Sequence, residues 1–167
     1  PPELPRREPS AAELELIGLA VNGDRGELRR LVELRVPELV AYQDEAYARR
    51  YAEWVRRVHV AEQERTPGHS ELAEAVARYL FKLMAYKDEY EVARLHTEGG
   101  LLRGIARDFE GEVRLKFHLA PPLLARTRPG ETEPRKMELG GWVLPLFRGL
   151  AKLKTLRGTR LDLFGYM

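Results

Sequence analysis

At 167 residues, with 44% hydrophobic and 32% charged side chains and a net charge of +2, the chain suffices for one domain with a modest core, and a second complete domain would not fit. Cysteine is absent, which excludes a disulfide, a thiolate zinc site and a cysteine-ligated iron–sulfur cluster within these residues. No apolar run approaches the about 18 residues of a membrane span and no signal-peptide pattern opens the chain, so a cytoplasmic protein with no membrane partner is expected. Charge is uneven: residues 1–110 carry 17 Lys and Arg against 21 Asp and Glu, and residues 111–167 carry 11 against 5.

The opening PPELPRREPS is rich in proline and reads as a linker; without an initiator methionine, and with an end just past an FGY motif, the chain reads as an excised C-terminal fragment of a larger protein. Ser10 and Glu13 have capping-box spacing, in which each side chain satisfies the other's free backbone N–H, and a short helix Ala11 to Val21 follows. Residues 1–23 are thus linker and short helix, and 24–167 a single helical domain. Asp24 and Glu27 repeat the capping spacing to open a second helix that Pro37 must end or kink, because proline has no N–H to donate. From Glu38 the chain reads helical to about Arg65, with Tyr47, Tyr51, Trp54, Val55 and Val58 forming one aromatic-rich core stripe.

Thr66-Pro67-Gly68 is a turn, and Ser70 caps a long helix expected from Glu71 to His96, closed by Gly99-Gly100. A short helix to Phe109 follows. Val113, Leu115, Phe117 and Leu119 alternate with Arg114, Lys116 and His118, the period of a half-buried strand. Its partner is either the stretch Arg135 to Leu139, across a loop at Thr127 to Pro134, or another domain. Trp142 to Leu156 returns to helix with Leu146, Phe147, Leu150 and Leu153 on one face and Pro145 in its first turn. The expected fold is mainly α with a small β element, a bundle of about five to six helices plus one strand or hairpin.

In the long helix, Lys87 falls among Leu80, Leu83, Met84, Tyr90, Glu91 and Arg94, so a cation interrupts an apolar face and needs a partner, which Glu91 four residues on supplies. On the strand, Arg114, Lys116 and His118 lie about 7 Å apart on one face, a cationic row of the kind phosphates accept. The same composition also describes a solvated face. His59, His69, His96 and His118 show no metal-ligand spacing, Ser10 and Ser70 read as caps rather than nucleophiles, and there is no G-x-G-x-x-G or P-loop. The basic C-terminal segment, with Arg148, Lys152, Lys154, Arg157 and Arg160, lacks the exposed aromatics that stack bases, so nucleic acid is not an expected partner. No catalytic residue and no metal ligand emerges.

Three segments carry a resemblance: YLFKLMAYKDEYEVARLHT at Tyr79 to Thr97, RLKFHLAPPLLAR at Arg114 to Arg126, and LRGTRLDLFGY at Leu156 to Tyr166. With them the chain resembles the C-terminal domain of the fused, single-chain indolepyruvate:ferredoxin oxidoreductases, from about Tyr42 to Tyr166, less closely from Gly26 to Ala41, and not before that. It departs from the pattern at Pro37, where family members usually continue the helix, and at Arg160 and Leu163, where proline is more common. The resemblance implies a parent enzyme that oxidatively decarboxylates arylpyruvates to acyl-coenzyme A and passes electrons to ferredoxin. Thiamine diphosphate and iron–sulfur clusters on other domains would do that work, with coenzyme A as co-substrate and no cofactor in this segment.

What the resemblance implies for the segment itself is an accessory or assembly role toward the parent's other domains, within a homo-oligomer. Two alternatives stay open. Lys82, Lys87, Glu91, Arg94, Arg114, Lys116, His118 and Arg126 are candidate ligand or interface residues for coenzyme A phosphates, and Lys152, Lys154 and Arg157 are candidates to face acidic ferredoxin.

Overall fold

The computed structural model describes residues 8–23, 25–98, 100–111, 113–119, 137–162 and 164–165. Its elements are α1 (Ala11–Ala20), α2 (Glu27–Tyr42), α3 (Glu45–Arg65), α4 (Glu71–Met84), α5 (Glu89–Thr97), α6 (Leu101–Asp108), β1 (Lys116–Leu119), β2 (Met137–Gly140) and α7 (Leu144–Lys152), with short 3₁₀ turns at Gly141–Val143 and Leu153–Leu156. The fold is mainly α with a small antiparallel hairpin, as the periodicities indicate. The chain divides after Tyr86 into two compact units.

The first unit is the four helices α1 to α4. The Ser10–Glu13 capping box forms as expected, with Ser10 N–H donating to Glu13 Oε2 at 2.7 Å and Glu13 N–H to Ser10 Oγ at 3.2 Å. α1 packs on α3 and α2, and its Leu16 and Ile17 enter a core shared with Leu28, Val32, Val36, Tyr51 and Val55. Asp24 does not cap α2, and of the two outcomes expected at Pro37, an end or a kink, the helix does not end there. Its N-cap is Gly26 rather than Asp24, which lies outside the described residues, and it runs through Pro37 to Tyr42. Pro37 removes one donor only, and Val36 and Leu39 on either side are fully buried, so packing holds the helix where the local rule would end it.

The break comes instead at Asp44, whose carboxylate accepts from Tyr47 N–H at 2.7 Å and starts α3. Of the expected aromatic stripe, Tyr51 and Val55 are buried and Tyr47 and Val58 partly so, but Trp54 is 54% exposed, with the Arg57 guanidinium 5.2 Å from its ring. Two tyrosine hydroxyls tie α3 to α4: Tyr51 donates to the Ala77 carbonyl and Tyr47 to that of Met84, both at 2.9 Å. Burial pushes the Tyr51 phenol well above its ordinary range.

Ser70 does not cap α4 with its side chain, contrary to expectation; its hydroxyl donates to Glu74 at 2.9 Å. The buried carboxylate of Glu62, reaching over from α3, accepts from Leu72 N–H and Ala73 N–H, each at 2.8 Å, and so satisfies the orphan donors.

The long helix expected from Glu71 to His96 is two helices. α4 stops at Met84, and Asp88 opens α5 by accepting from Glu91 N–H at 2.8 Å, the use to which a short carboxylate is better suited than a helix interior. In the second unit α5 packs chiefly on α7, around a small core of Ala93, Phe117, Val143, Phe147 and Ala151. Gly100 caps α6 with φ +76, a left-handed conformation that glycine adopts without strain. The strand is shorter than its alternation, only Lys116–Leu119, and it pairs within the chain to β2 in the register Phe117 to Leu139 and His118 to Glu138. The expected loop at Thr127 to Pro134 lies outside the described residues.

The C-terminal helix is likewise split, with Pro145 in the first turn of α7. Its buried face is Val143, Phe147 and Ala151, with Leu144 and Leu150 partly covered; Leu146 at 63% and Leu153 at 39% exposure face away, so the expected apolar face is rotated.

Candidate functional site

The charged residues singled out from the sequence do not converge. On the hairpin, Lys116 Nζ lies 2.8 Å from Glu138 Oε1, and His118 Nε2 lies 4.0 Å from the other oxygen of the same carboxylate. The hydrogen bond between them raises the Lys116 ammonium above its ordinary value and lowers Glu138. A carboxylate therefore sits across from the row that an anion would need, and Arg114 precedes the strand, exposed. Lys82 is exposed on α4, 5.0 Å above the Tyr79 ring. Lys87 lies exposed in the connection between α4 and α5, not on an apolar helix face, so the expected pair with Glu91 has no common helix to form on. Arg126 lies outside the described residues.

Around α5 and the C-terminal turn, by contrast, the chain assembles a dense polar network. Glu91 and Arg94, both 7% exposed, form a two-point pair at 2.7 and 2.8 Å. Arg157 grips Asp88 the same way at 2.6 and 2.8 Å, with its guanidinium 5.6 Å from the Tyr90 ring. Asp88 thus caps α5 with one oxygen and holds the C-terminal segment with both. Lys154 is half-buried; burial draws its ammonium below the ordinary 10.5, Arg94 and Arg157 act in the same direction, and Glu98 and Glu91 oppose them. Of the three residues expected to face ferredoxin, Lys152 alone is exposed.

The centre of the network is Asp162, which the sequence reading did not single out. It is 7% exposed and accepts from Gly158 N–H at 2.7 Å, Phe164 N–H at 3.2 Å and Tyr90 Oη at 3.2 Å. The Gly158 N–H above all, then the other donors, hold its carboxyl below the ordinary 3.8. Phe164 closes the turn by meeting the Tyr90 ring edge-on, with centroids 5.0 Å apart. The signal for this was present in LRGTRLDLFGY: a lone aspartate between Gly158 and Gly165 marks a turn whose backbone N–H groups need an acceptor. Chemically the arrangement holds charges in matched pairs and fixes the C-terminal turn on α5. Among the described residues no group of three or more His, Asp or Glu side chains is placed to hold a metal ion, and no helix is long and apolar enough to cross a membrane.

The three segments singled out in the sequence thus contribute to the α5 and C-terminal network, to the hairpin and to α4. Residues 28–167 match a family of unknown function, DUF6537. The chain belongs to the DUF6537 family. The match covers α2 to the C-terminal turn and leaves out α1, although α1 packs into the first unit of this DUF6537 chain. No curated protein and no solved structure matches it.

Proposed function

We propose that this DUF6537 chain is the C-terminal accessory and assembly domain of an indolepyruvate-type 2-oxoacid:ferredoxin oxidoreductase, a cytoplasmic enzyme whose other domains carry out the oxidative decarboxylation of arylpyruvates to acyl-coenzyme A. The observation that supports an accessory rather than a catalytic role is the use made of the distinctive residues. Asp88, Glu91, Arg94, Arg157 and Asp162 are engaged with one another or with backbone N–H groups, and Lys116 is engaged with Glu138. A reacting or ligand-binding group is ordinarily left with an open partner position. The link to the parent enzyme rests on the resemblance carried by Tyr79 to Thr97, Arg114 to Arg126 and Leu156 to Tyr166.

Capture of the native polypeptide with an antibody raised against this chain tests the parentage. The captured protein is expected to contain thiamine diphosphate and iron–sulfur clusters and to reduce ferredoxin or a viologen dye with indolepyruvate and coenzyme A. A captured polypeptide without those cofactors and without that activity would overturn the proposal.

A further inference from the structure

The furrow between α3 and α4, in the first unit, is apolar on both banks. The two helices run antiparallel, tied by the Tyr47 hydroxyl to the Met84 carbonyl, the Tyr51 hydroxyl to that of Ala77 and the Glu62 carboxylate to Ala73 N–H, so Trp54 stands about level with Val76. α2 occupies the other side of α4, where Arg78 bridges Glu27 at 3.6 Å and the Arg35 guanidinium lies 4.3 Å from the Phe81 ring. At 3.6 residues per turn, Leu72, Val76, Tyr79 and Leu83 fall within an arc of about 60° on the outward side of α4 next to α3, and Trp54 and Val58 within about 40° on the facing bank. Trp54, Leu72, Tyr79 and Leu83 are each more than half exposed, Leu83 at 80%. Single exposed apolar residues need no explanation; two facing rows over several turns do.

The charges beside the furrow specify its occupant. Arg50 and Arg57, both exposed, border Trp54 and stand two turns apart, about 10.5 Å along the axis; Lys82 borders Tyr79 on the opposite bank. Each lies near an aromatic ring, Arg50 4.6 Å from Tyr47, Arg57 5.2 Å from Trp54 and Lys82 5.0 Å from Tyr79, and among the described residues none of the three is bridged to a carboxylate. Arg65 ends α3 in line with Trp54. The carboxylates Glu53, Glu64 and Glu71 stand further round their helices from the furrow, and Arg78, beyond Glu71, has the sign of the rims. Cations thus line both edges of an apolar strip. Apolar residues three and four apart on two packed helices form the seat that a third helix takes in a bundle, and leucine gives a nucleic base nothing to stack on. The rims call for carboxylates on both flanks of that helix, with those toward α3 seven positions apart to reach Arg50 and Arg57.

We propose that the α3–α4 furrow is a docking site for a partner's amphipathic helix, whose apolar stripe packs between Trp54 and the row from Leu72 to Leu83 and whose acidic flanks meet Arg50, Arg57 and Lys82. The site lies wholly within the first unit and is the same whatever the parent enzyme.

Fluorescence titration of the full chain tests it. Trp54 and Trp142 are the two tryptophans, so Trp142→Phe leaves Trp54 as the sole reporter. The probes are two synthetic peptides of about five helical turns, about 18 residues, with the same leucine stripe at three and four spacing, one carrying glutamate and the other lysine at the flanking positions. The glutamate peptide is expected to give a saturable blue shift of the Trp54 emission, and the lysine peptide to bind at least about tenfold more weakly. Arg50→Glu with Arg57→Glu should weaken the glutamate peptide by about tenfold or more and remove its advantage over the lysine peptide. Leu72→Glu with Leu83→Glu should abolish binding, and the helical circular dichroism should be unchanged in both double variants because all four side chains are exposed. No shift with the glutamate peptide, equal binding of the two peptides, or binding indifferent to Leu72→Glu with Leu83→Glu would each overturn the proposal. A Trp54 shift with phosphatidylglycerol vesicles and none with the peptide would overturn it in favour of an anionic membrane surface.

Discussion

Replacing Asp162 with alanine takes away the acceptor of three hydrogen bonds, from Gly158 N–H, Phe164 N–H and Tyr90 Oη, at a side chain only 7% exposed. At about 1 kcal/mol for each bond the loss is about 3 kcal/mol, reduced toward about 2 because Gly158 is exposed and water can reach its N–H once the turn loosens. Asp162→Asn keeps one acceptor oxygen and should cost about half as much. The pH dependence has a fixed sign. Folding lowers the Asp162 pKa below 3.8, so its contribution is present above that value and fades as the pH falls through the folded-state value; the gap between the native chain and Asp162→Asn should therefore narrow on acidification. Urea unfolding followed by circular dichroism gives the global figure, and amide hydrogen exchange over residues 153–165 shows whether the loss sits in the C-terminal turn. A stability change for Asp162→Ala within about 0.5 kcal/mol, with unchanged exchange in that turn, would refute the reading of Asp162 as its organising centre.

Gly165 is packed against the same carboxylate, and a Cβ there would lie 2.6 Å from Asp162 Oδ2, so Gly165→Ala should cost about 1–2 kcal/mol in the native chain and little in an Asp162→Ala background, a coupling that a double-mutant cycle measures. Glu62→Ala should destabilise the first unit by about 2 kcal/mol by stripping Leu72 N–H and Ala73 N–H of their acceptor, whereas Ser70→Ala should be within about 0.5 kcal/mol of neutral; the reverse order in chemical denaturation would restore the cap to Ser70. His96 stacks on Phe147 and meets Phe117 edge-on, and burial lowers its pKa below 6.5. Its contribution is thus full above pH 6.5 and lost as the pH falls through the folded-state value. Calorimetric melting temperatures should decline over that interval, and His96→Leu should flatten the decline.

Where local chemistry decided the outcome, the sequence was a good guide. The Ser10–Glu13 box, Pro145 at the start of α7 and the alternation around Phe117 all name their structures directly, because each is settled within a turn or a strand pair. Pro37 does not end α2 because the burial of Val36 and Leu39 outweighs one missing hydrogen bond, and that burial depends on helices distant in sequence. Asp88 misled in the opposite direction: its capping bond cuts a continuous apolar period into two helices. The polar network stayed hidden because its partners stand far apart along the chain, with Arg157 reaching Asp88 and Asp162 reaching Tyr90. Charge type alone made Lys116, Lys154 and Arg157 look available, whereas Glu138, burial and Asp88 respectively engage them.

The role proposed for this domain is support of a 2-oxoacid:ferredoxin oxidoreductase without entry into its chemistry, and deleting the domain from that proposed parent puts the role to the test. With residues 8–165 deleted, indolepyruvate oxidation per intact catalytic centre is expected to stay within about threefold of the undeleted rate, less than about 1 kcal/mol in barrier height, while assembly and thermal stability fall. A deletion variant that assembles like the native enzyme yet loses turnover by orders of magnitude would contradict it, and would place a reacting or substrate-binding group inside this domain.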